Sequence, residues 1–313
     1  MKFSIITPEH TKKNIPFLLE LYDSILNQTY SDWEWIIYLN NDCMEEDLPS
    51  QIRWNEKITI YRDDADKTEV GYFKNKAFHL GTGDILVEAD HDDILIENCL
   101  EELYKVYAEK PEVGFVYSNN ATYKMNGEFM PYSDTHGWEY EEFKWRDKTL
   151  LAMKAFPPTP QSMAYIWYAP DHVRSWRAPL YREIGGHDVD LDICDDQELL
   201  HRTYIATNMH HIDKVLYVYR ITGDNTWLER SDSIQETTRN MFDKNIRSVV
   251  EKEADTLGLK KIDIGGGLNP YGGYETVDIR ETADYVADLN DGIPLPDNSV
   301  YVLNAHHILE HLK

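Results

Sequence analysis

Cysteine is scarce: three residues in 313, at Cys43, Cys99 and Cys194, with no metal-ligand spacing between them. That excludes a disulfide scaffold and a cysteine zinc site, and leaves three reduced thiols in a cytoplasmic protein as the expectation. Long apolar runs are also missing. None approaches the roughly 18 residues of a membrane helix, so no transmembrane segment is expected. Met1-Lys2 leads straight into Phe3-Ser4-Ile5-Ile6, which is too short and too soon interrupted for a signal peptide. Positive charge is in deficit, with 31 Lys and Arg against 56 Asp and Glu and a net charge of -25. A phosphate backbone needs a basic face, so nucleic acid is excluded as a partner. An anionic nucleotide would be repelled by most of this surface and would need local rescue by a cation or a few placed Lys and Arg side chains. Repeats and low-complexity tracts are absent. Apolar residues make up 42%, enough for a sizeable core, and the length suggests two domains.

The first part alternates strand and helix. Residues 3–7, 35–39, 58–61 and 85–87 read as β-rich runs. Ile15, Leu18, Leu19, Tyr22, Ile25 and Leu26 share one helical face, with Pro16 in its first turn. Residues 73–80 and 97–109 read as further helices, the former closed by Gly81-Thr82-Gly83. This alternation predicts an α/β fold with a mostly parallel, Rossmann-like sheet flanked by helices. Ligands of such sheets sit at the carboxyl ends of strands, where Asn40-Asn41-Asp42 and Asp90-His91-Asp92 fall. Residues 118–180 are less regular and rich in Trp and Tyr, with a loop at Pro157-Pro158-Thr159-Pro160. A helix over 195–205, a strand over 214–220 and one or two polar helices over 231–257 follow. Composition shifts near Gly258, which places domains at 1–257 and 258–313.

Asp90-His91-Asp92-Asp93 is the sharpest local signal. Residues i and i+2 at a strand end point the same way. Two carboxylates so placed can hold a hard divalent cation, Mn²⁺ or Mg²⁺, which would neutralise a diphosphate. Taken alone, the run reads equally as a solvated acidic turn.

Several motifs in order resemble the GT-A-fold family 2 glycosyltransferases over residues 3–230. They are Ser24-Ile25-Leu26-Asn27-Gln28-Thr29-Tyr30 with Trp33-Glu34-Trp35-Ile36-Ile37, then Lys74-Asn75-Lys76-Ala77, Gly81-Thr82-Gly83-Asp84-Ile85 and the Asp90–Asp93 run. Gly185-Gly186-His187-Asp188, Cys194-Asp195-Asp196-Gln197-Glu198-Leu199 and Val218-Tyr219-Arg220 complete the set. The resemblance implies roles. Thr7, Pro8 and the Asn40–Asp42 turn would contact the base of a nucleotide-sugar, with Asp42 or Asn40 replacing the usual carboxylate. Lys74 and Asn75 would lie near the diphosphate or ribose. Asp90 and His91 belong to the nucleotide-sugar motif, and Asp92, with Asp90, would bind the metal. Asp196 would be the general base of an inverting transfer, removing the acceptor proton. Asp195 reads as acceptor-side or as a helix cap. A histidine that often follows the last strand is replaced here by Thr222, leaving the third metal ligand open. His91, His187 and His201 read otherwise as surface or core histidines. Trp138, Trp145, Trp167 and Trp176 could form a sugar platform, with Trp176 on the acceptor side, or simply pack in the core. Arg174 and Arg177 could meet an anion or pair at the surface.

Asp263-Ile264-Gly265-Gly266-Gly267 after a strand, Asp278 closing the next strand 15 residues after Asp263, and His306-His307-Ile308-Leu309-Glu310-His311-Leu312 form a different signature. They resemble the first half of class I S-adenosylmethionine-dependent methyltransferases. The resemblance implies a vestigial cofactor site at Gly265, Gly267 and Asp278 on a truncated module, with strands near 261–264, 275–279 and 300–304 and a helix from His307. Its open sheet edge could join copies of the chain into a homo-oligomer. The expected activity is metal-dependent glycosyl transfer, with inversion, from a nucleoside-diphosphate sugar to a hydroxyl acceptor. A UDP-sugar is the expected donor and a glycan the expected acceptor. The alternatives are a metal-dependent nucleotidyltransferase and a nucleotide-sugar-binding module without catalysis.

Overall fold

The computed structural model describes residues 1–132, 137–306 and 308–311. Its strands are β1 (Phe3–Glu9), β2 (Trp33–Leu39), β3 (Ile58–Arg62), β4 (Ile85–Glu88), β5 (Ile94–Leu95), β6 (Val113–Lys124), β7 (Tyr140–Trp145), β8 (Lys148–Met153), β9 (Arg174–Arg177) and β10 (Asn208–Ile221), followed by β11 (Lys260–Ile264), β12 (Glu275–Asp278), β13 (Tyr285–Val286) and β14 (Val300–Ala305). The helices are α1 (Ile15–Leu26), α2 (Ser50–Arg53), α3 (Val70–Leu80), α4 (Cys99–Glu109), α5 (Pro160–Tyr165), α6 (Ala178–Glu183), α7 (Asp195–Ala206) and α8 (Thr226–Leu257).

The chain divides into Met1–Phe242 and Asp243–Lys313. The division falls inside α8, not at the glycine where composition shifts. The last turns of that helix bury Val249 and Ala254, Tyr274 donates to Glu251 (2.8 Å), and Arg247 lies over the Tyr271 ring.

In the first unit the sheet runs β3-β2-β1-β4-β9-β6-β10-β5, with the β7–β8 hairpin attached to β6. β3, β2, β1 and β4 are mutually parallel. β9 is antiparallel to both β4 and β6, and β6 is parallel to β10. β1, β4, β6 and β10 therefore all point their carboxyl ends to one edge, which sets the place of a ligand. Phe3, Ile5, Trp35, Ile37, Ile85 and Val87 pack with α1 and α4 on one face. Ile6, Ile36, Leu86, Phe115 and Trp176 pack with α3 and α7 on the other. Burial on both faces explains why these strands read as continuous apolar runs.

Gly81 closes α3 at φ -60°, so it does not supply the left-handed cap that its position suggested. It and Gly83 are there for room. A Cβ on Gly83 would lie 2.7 Å from the Lys2 carbonyl and 2.8 Å from the Ser4 nitrogen, both backbone atoms that cannot yield. The segment read as irregular contains the long β6 and the β7–β8 hairpin. β6 is buried along ten successive residues, so it carries no alternation to read.

The second unit is a parallel sheet in the order β13-β12-β11-β14. Gly265 and Gly267 have φ of +65° and +64°, a conformation that favours glycine. Residues 265–274 cross from β11 to β12 without a helix. Of the helix expected from His307, that residue and 312–313 lie outside the described residues, and Leu309–His311 forms a short 3₁₀ turn. Among the described residues, no helix is long and apolar enough to cross a membrane.

Candidate active site

At the common strand edge a cavity of about 700 Å³ opens. β1 brings Pro8 to it and the turn after β4 brings Asp90, His91 and Asp92. β6 contributes Asn120 and Thr122, β10 contributes Tyr219, α3 contributes Lys74, and the start of α7 contributes Asp195 and Asp196. The acidic run is a turn, closed by Asp93 N–H donating to Asp90 C=O (3.1 Å), so the turn and not strand alternation aims its side chains. Asp93 points inward, fully buried, and accepts from the Arg220 amide (2.7 Å), which ties this turn to β10.

Seven aspartates line the cavity (Asp90, Asp92, Asp171, Asp192, Asp195, Asp196, Asp224) against Lys13, Lys74 and Arg174. Two of those cations are already committed. Lys74 Nζ donates to Glu88 Oε1 at 2.6 Å and lies 4.0 Å from both Asp90 Oδ1 and Asp195 Oδ2. Arg174 Nη1 lies 2.7 Å from Asp196 Oδ2 and 3.5 Å from Glu88 Oε2. Burial raises the Glu88 carboxyl, but Lys74 and Arg174 outweigh it and hold the group well below the usual carboxylate range.

The adjacent aspartates of α7 differ in character. Cys194, at φ +58°, is the N-cap, so Asp195 does not cap the helix. Asp195 is 5% exposed, its Oδ2 makes no hydrogen bond, and burial pushes its carboxyl up despite Lys74. Asp196 keeps 27% of its side chain exposed and accepts from the Gln197 amide at 2.8 Å. Burial raises its carboxyl, but Arg174 and Lys74 prevail and hold it below the ordinary value.

Asp90 and Asp92 are partly exposed (30% and 18%), and their carboxylates suit a hard divalent cation. Thr222 lines the cavity with its hydroxyl on Asn225 Oδ1 (3.4 Å). The His172 Nε2 lies 3.8 Å from Asp90 Oδ2. Burial, then Arg174, hold His172 down to about 4, so it is neutral at pH 7. The oxygen-rich donor set around Asp90 and Asp92 fits Mn²⁺ or Mg²⁺.

Other expected contacts do not reach the cavity. Thr7 is fully buried, donates to the Ala89 carbonyl (2.8 Å) and accepts from Trp35 Nε1 (2.9 Å), so its hydroxyl is spent within the sheet. Asn40 is buried and Asp42 exposed, and neither lines the cavity. Asn75 donates to the Gly185 and His187 carbonyls and ties α3 to the glycine turn. Trp176 is fully buried on β9, packed on Phe78 and Phe115 with Nε1 donating to Thr203 (3.0 Å). It is core, not an acceptor contact. Arg177 donates to the Tyr107, Lys110 and Val113 carbonyls. His187 and His201 are buried, as core histidines. Trp145 packs in the hairpin. Trp167 lines the cavity with Tyr168, whose hydroxyl accepts from Trp138 Nε1. In the second unit, Asp278 turns its carboxylate back onto the Gly267 and Arg280 amides (3.2 and 3.1 Å).

His10, Asp171, His172 and Trp227 also line the cavity, and sequence reasoning missed them as site residues. No spacing signals them, because the cavity gathers them from separate loops and the start of α8.

Known proteins share this architecture. A fragment of TarS from S. aureus superposes with a TM-score of 0.55 at 15% identity, covering 82% of this chain and 72% of that one, and shares its GT-A-type α/β fold. Glycosyltransferase GlyG of Streptococcus pneumoniae is 24% identical over 253 residues, covering 79% of this chain and 78% of that protein. The O-antigen biosynthesis glycosyltransferase WbnJ of Escherichia coli is 32% identical over 111 residues, 34% of this chain and 42% of that one. The chain spans 22% and 45% of the length of two other curated relatives. Residues 4–164, just over half of the 313, match the family described as glycosyl transferase family 2, and the chain belongs to that family.

Proposed function

We propose that this chain transfers a sugar, with inversion, from a nucleoside-diphosphate sugar to a hydroxyl of a glycan acceptor. The observation that carries this reading is the place of Lys74. Its ammonium lies 4.0 Å from Asp90 on one wall and 4.0 Å from Asp195 on the other, so the donor-side turn and the α7 carboxylates share one cavity. S. aureus TarS has been crystallised with UDP and with UDP-GlcNAc, and a UDP-sugar is the donor assigned here.

Asp92 and Asp90 would hold the divalent ion, which supplies charge neutralisation to the departing diphosphate. Pro8 borders the base end of the cavity. Asp196, ionised and reachable, takes the proton from the acceptor hydroxyl as it attacks the anomeric carbon. Arg174 orients that carboxylate, and Asp195 is too enclosed to meet an acceptor. Tyr168 and Trp167 give aromatic faces on which a sugar ring can stack.

The test is incubation with UDP-sugars, Mn²⁺ and glycan acceptors. Release of UDP supports the reading. Release of pyrophosphate would mark a nucleotidyltransferase, and binding without turnover a module that has lost catalysis.

The C-terminal segment, 259–313, resembles the opening of a methyltransferase, and we assign it no methylation. Asp278 is committed to its own glycine loop, while Leu268 and Ile279 are 80% and 71% exposed, so neither contributes an apolar wall around a cofactor. Affinity for S-adenosylmethionine should be no tighter than about millimolar, about -4 kcal/mol. Micromolar binding in a calorimetric titration of the 313-residue chain would overturn this.

A further inference from the structure

We propose that Glu9, His10 and His91 form a binding site for a transition-metal ion of the Zn²⁺ class, separate in chemistry from the Asp90–Asp92 carboxylates. One donor atom from each of the three lies within 4.8 Å of the others. Glu9 ends β1 fully buried. Its Oε1 accepts from the Thr11 amide (2.9 Å), and its Oε2 makes no hydrogen bond. His91 Nδ1 lies 3.9 Å from that oxygen, and the His10 and His91 ring centres are 5.5 Å apart.

A buried carboxylate oxygen with no donor is costly, and the surrounding fold leaves it so. A cation between Glu9 and the two imidazoles would satisfy it. Two histidines and one carboxylate are a zinc donor set, whereas Mg²⁺ prefers oxygen ligands and water. Ligands about 2 Å from a tetrahedral ion are roughly 3.3 Å apart, so the donors, within 4.8 Å of one another and 3.9 Å apart between Glu9 and His91, must draw closer. His10 is exposed and can make that move.

A ligating histidine needs its other ring nitrogen held. The Asn14 amide lies 2.7 Å from His91 Nε2. A half-turn of that amide sets its oxygen against an Nε2–H and frees the Nδ1 lone pair, which lies 3.4 Å from the Pro8 carbonyl and 3.9 Å from Glu9 Oε2, for an ion beside Glu9. The cavity that His10 and His91 line would supply water to the open position.

Zn²⁺ titration, followed by calorimetry and by the visible spectrum of a Co²⁺ substitute, tests the site. One equivalent should bind, with tetrahedral Co²⁺ absorption. His10→Ala should lower the affinity by at least about tenfold, Asn14→Ala by about ten- to a hundredfold, and Asp92→Asn should change it little. His10→Ala alters an exposed side chain and keeps the fold. Unchanged affinity in His10→Ala overturns the proposal. So does a loss in Asp92→Asn with none in His10→Ala, which would place the ion on the aspartate pair. The proposal does not depend on glycosyl transfer, so inactivity with every donor would leave it standing.

Discussion

Asp196→Asn should bind the donor as the wild type does and transfer roughly a hundred- to ten-thousand-fold more slowly. The amide keeps the shape of the carboxylate and its contact with the Gln197 N–H, but it cannot take a proton. The pH profile sharpens the test. A base must be deprotonated to act, so activity rises with pH through its pKa. Arg174 and Lys74 hold Asp196 below the ordinary aspartate value, so the wild-type rate should be flat from about pH 5 upward on the acid side. Asp195 is pushed upward by burial, and a reaction relying on it would lose rate as the pH falls through the neutral range. A profile of that second kind, with Asp195→Asn inactive and Asp196→Asn normal, would move the base by one residue. If both variants turn over normally, the inverting mechanism assigned to this motif fails.

Asp92→Ala should lower the affinity for UDP in Mn²⁺ by at least about tenfold, about 1.4 kcal/mol, and remove the benefit of the metal. The sign reverses in chelator. Without a cation, Asp92 is one of seven aspartates facing an anionic ligand, so removing it should leave UDP binding equal or slightly tighter. Equal binding of UDP to the wild type with and without chelator would contradict the assignment.

The strands and helices of the first unit were legible where burial has a period or a two-sided apolar run. α1 begins and ends at the residues that its apolar face and Pro16 indicate. β2 and β4 are short, apolar and closed by polar turns. The acidic pairs were legible because carboxylates at strand and helix ends stand out, and the structure brings Asp90, Asp92, Asp195 and Asp196 to one cavity. Partners across the sheet were not legible. Thr7 looks like a base contact until Ala89 and Trp35 arrive from other strands to claim its hydroxyl. The contact of Asn75 with the Gly185 carbonyl likewise comes from a turn 110 residues away. Trp176 could not be told from a stacking platform, since an aromatic residue reads alike in a core and at a surface. Glu9 and His10 fell outside every motif, and only the meeting of β1 with the turn after β4 gives them a neighbour.

The three thiols have a use that follows from where they lie. Cys43, Cys99 and Cys194 are all free, all buried and all within Met1–Phe242. Burial pushes Cys43 and Cys194 up to about 12, and Cys99 upward as well, so none is a ready nucleophile while the first unit is closed. A small alkylating reagent will therefore wait on opening of the chain. Mass increments located at each cysteine time three neighbourhoods of one unit, with no thiol in Asp243–Lys313 to confuse the record. If Cys194, at the start of the helix that carries Asp196, labels ahead of Cys43 and Cys99, which share one core cluster, the α7 wall of the cavity loosens before that core does.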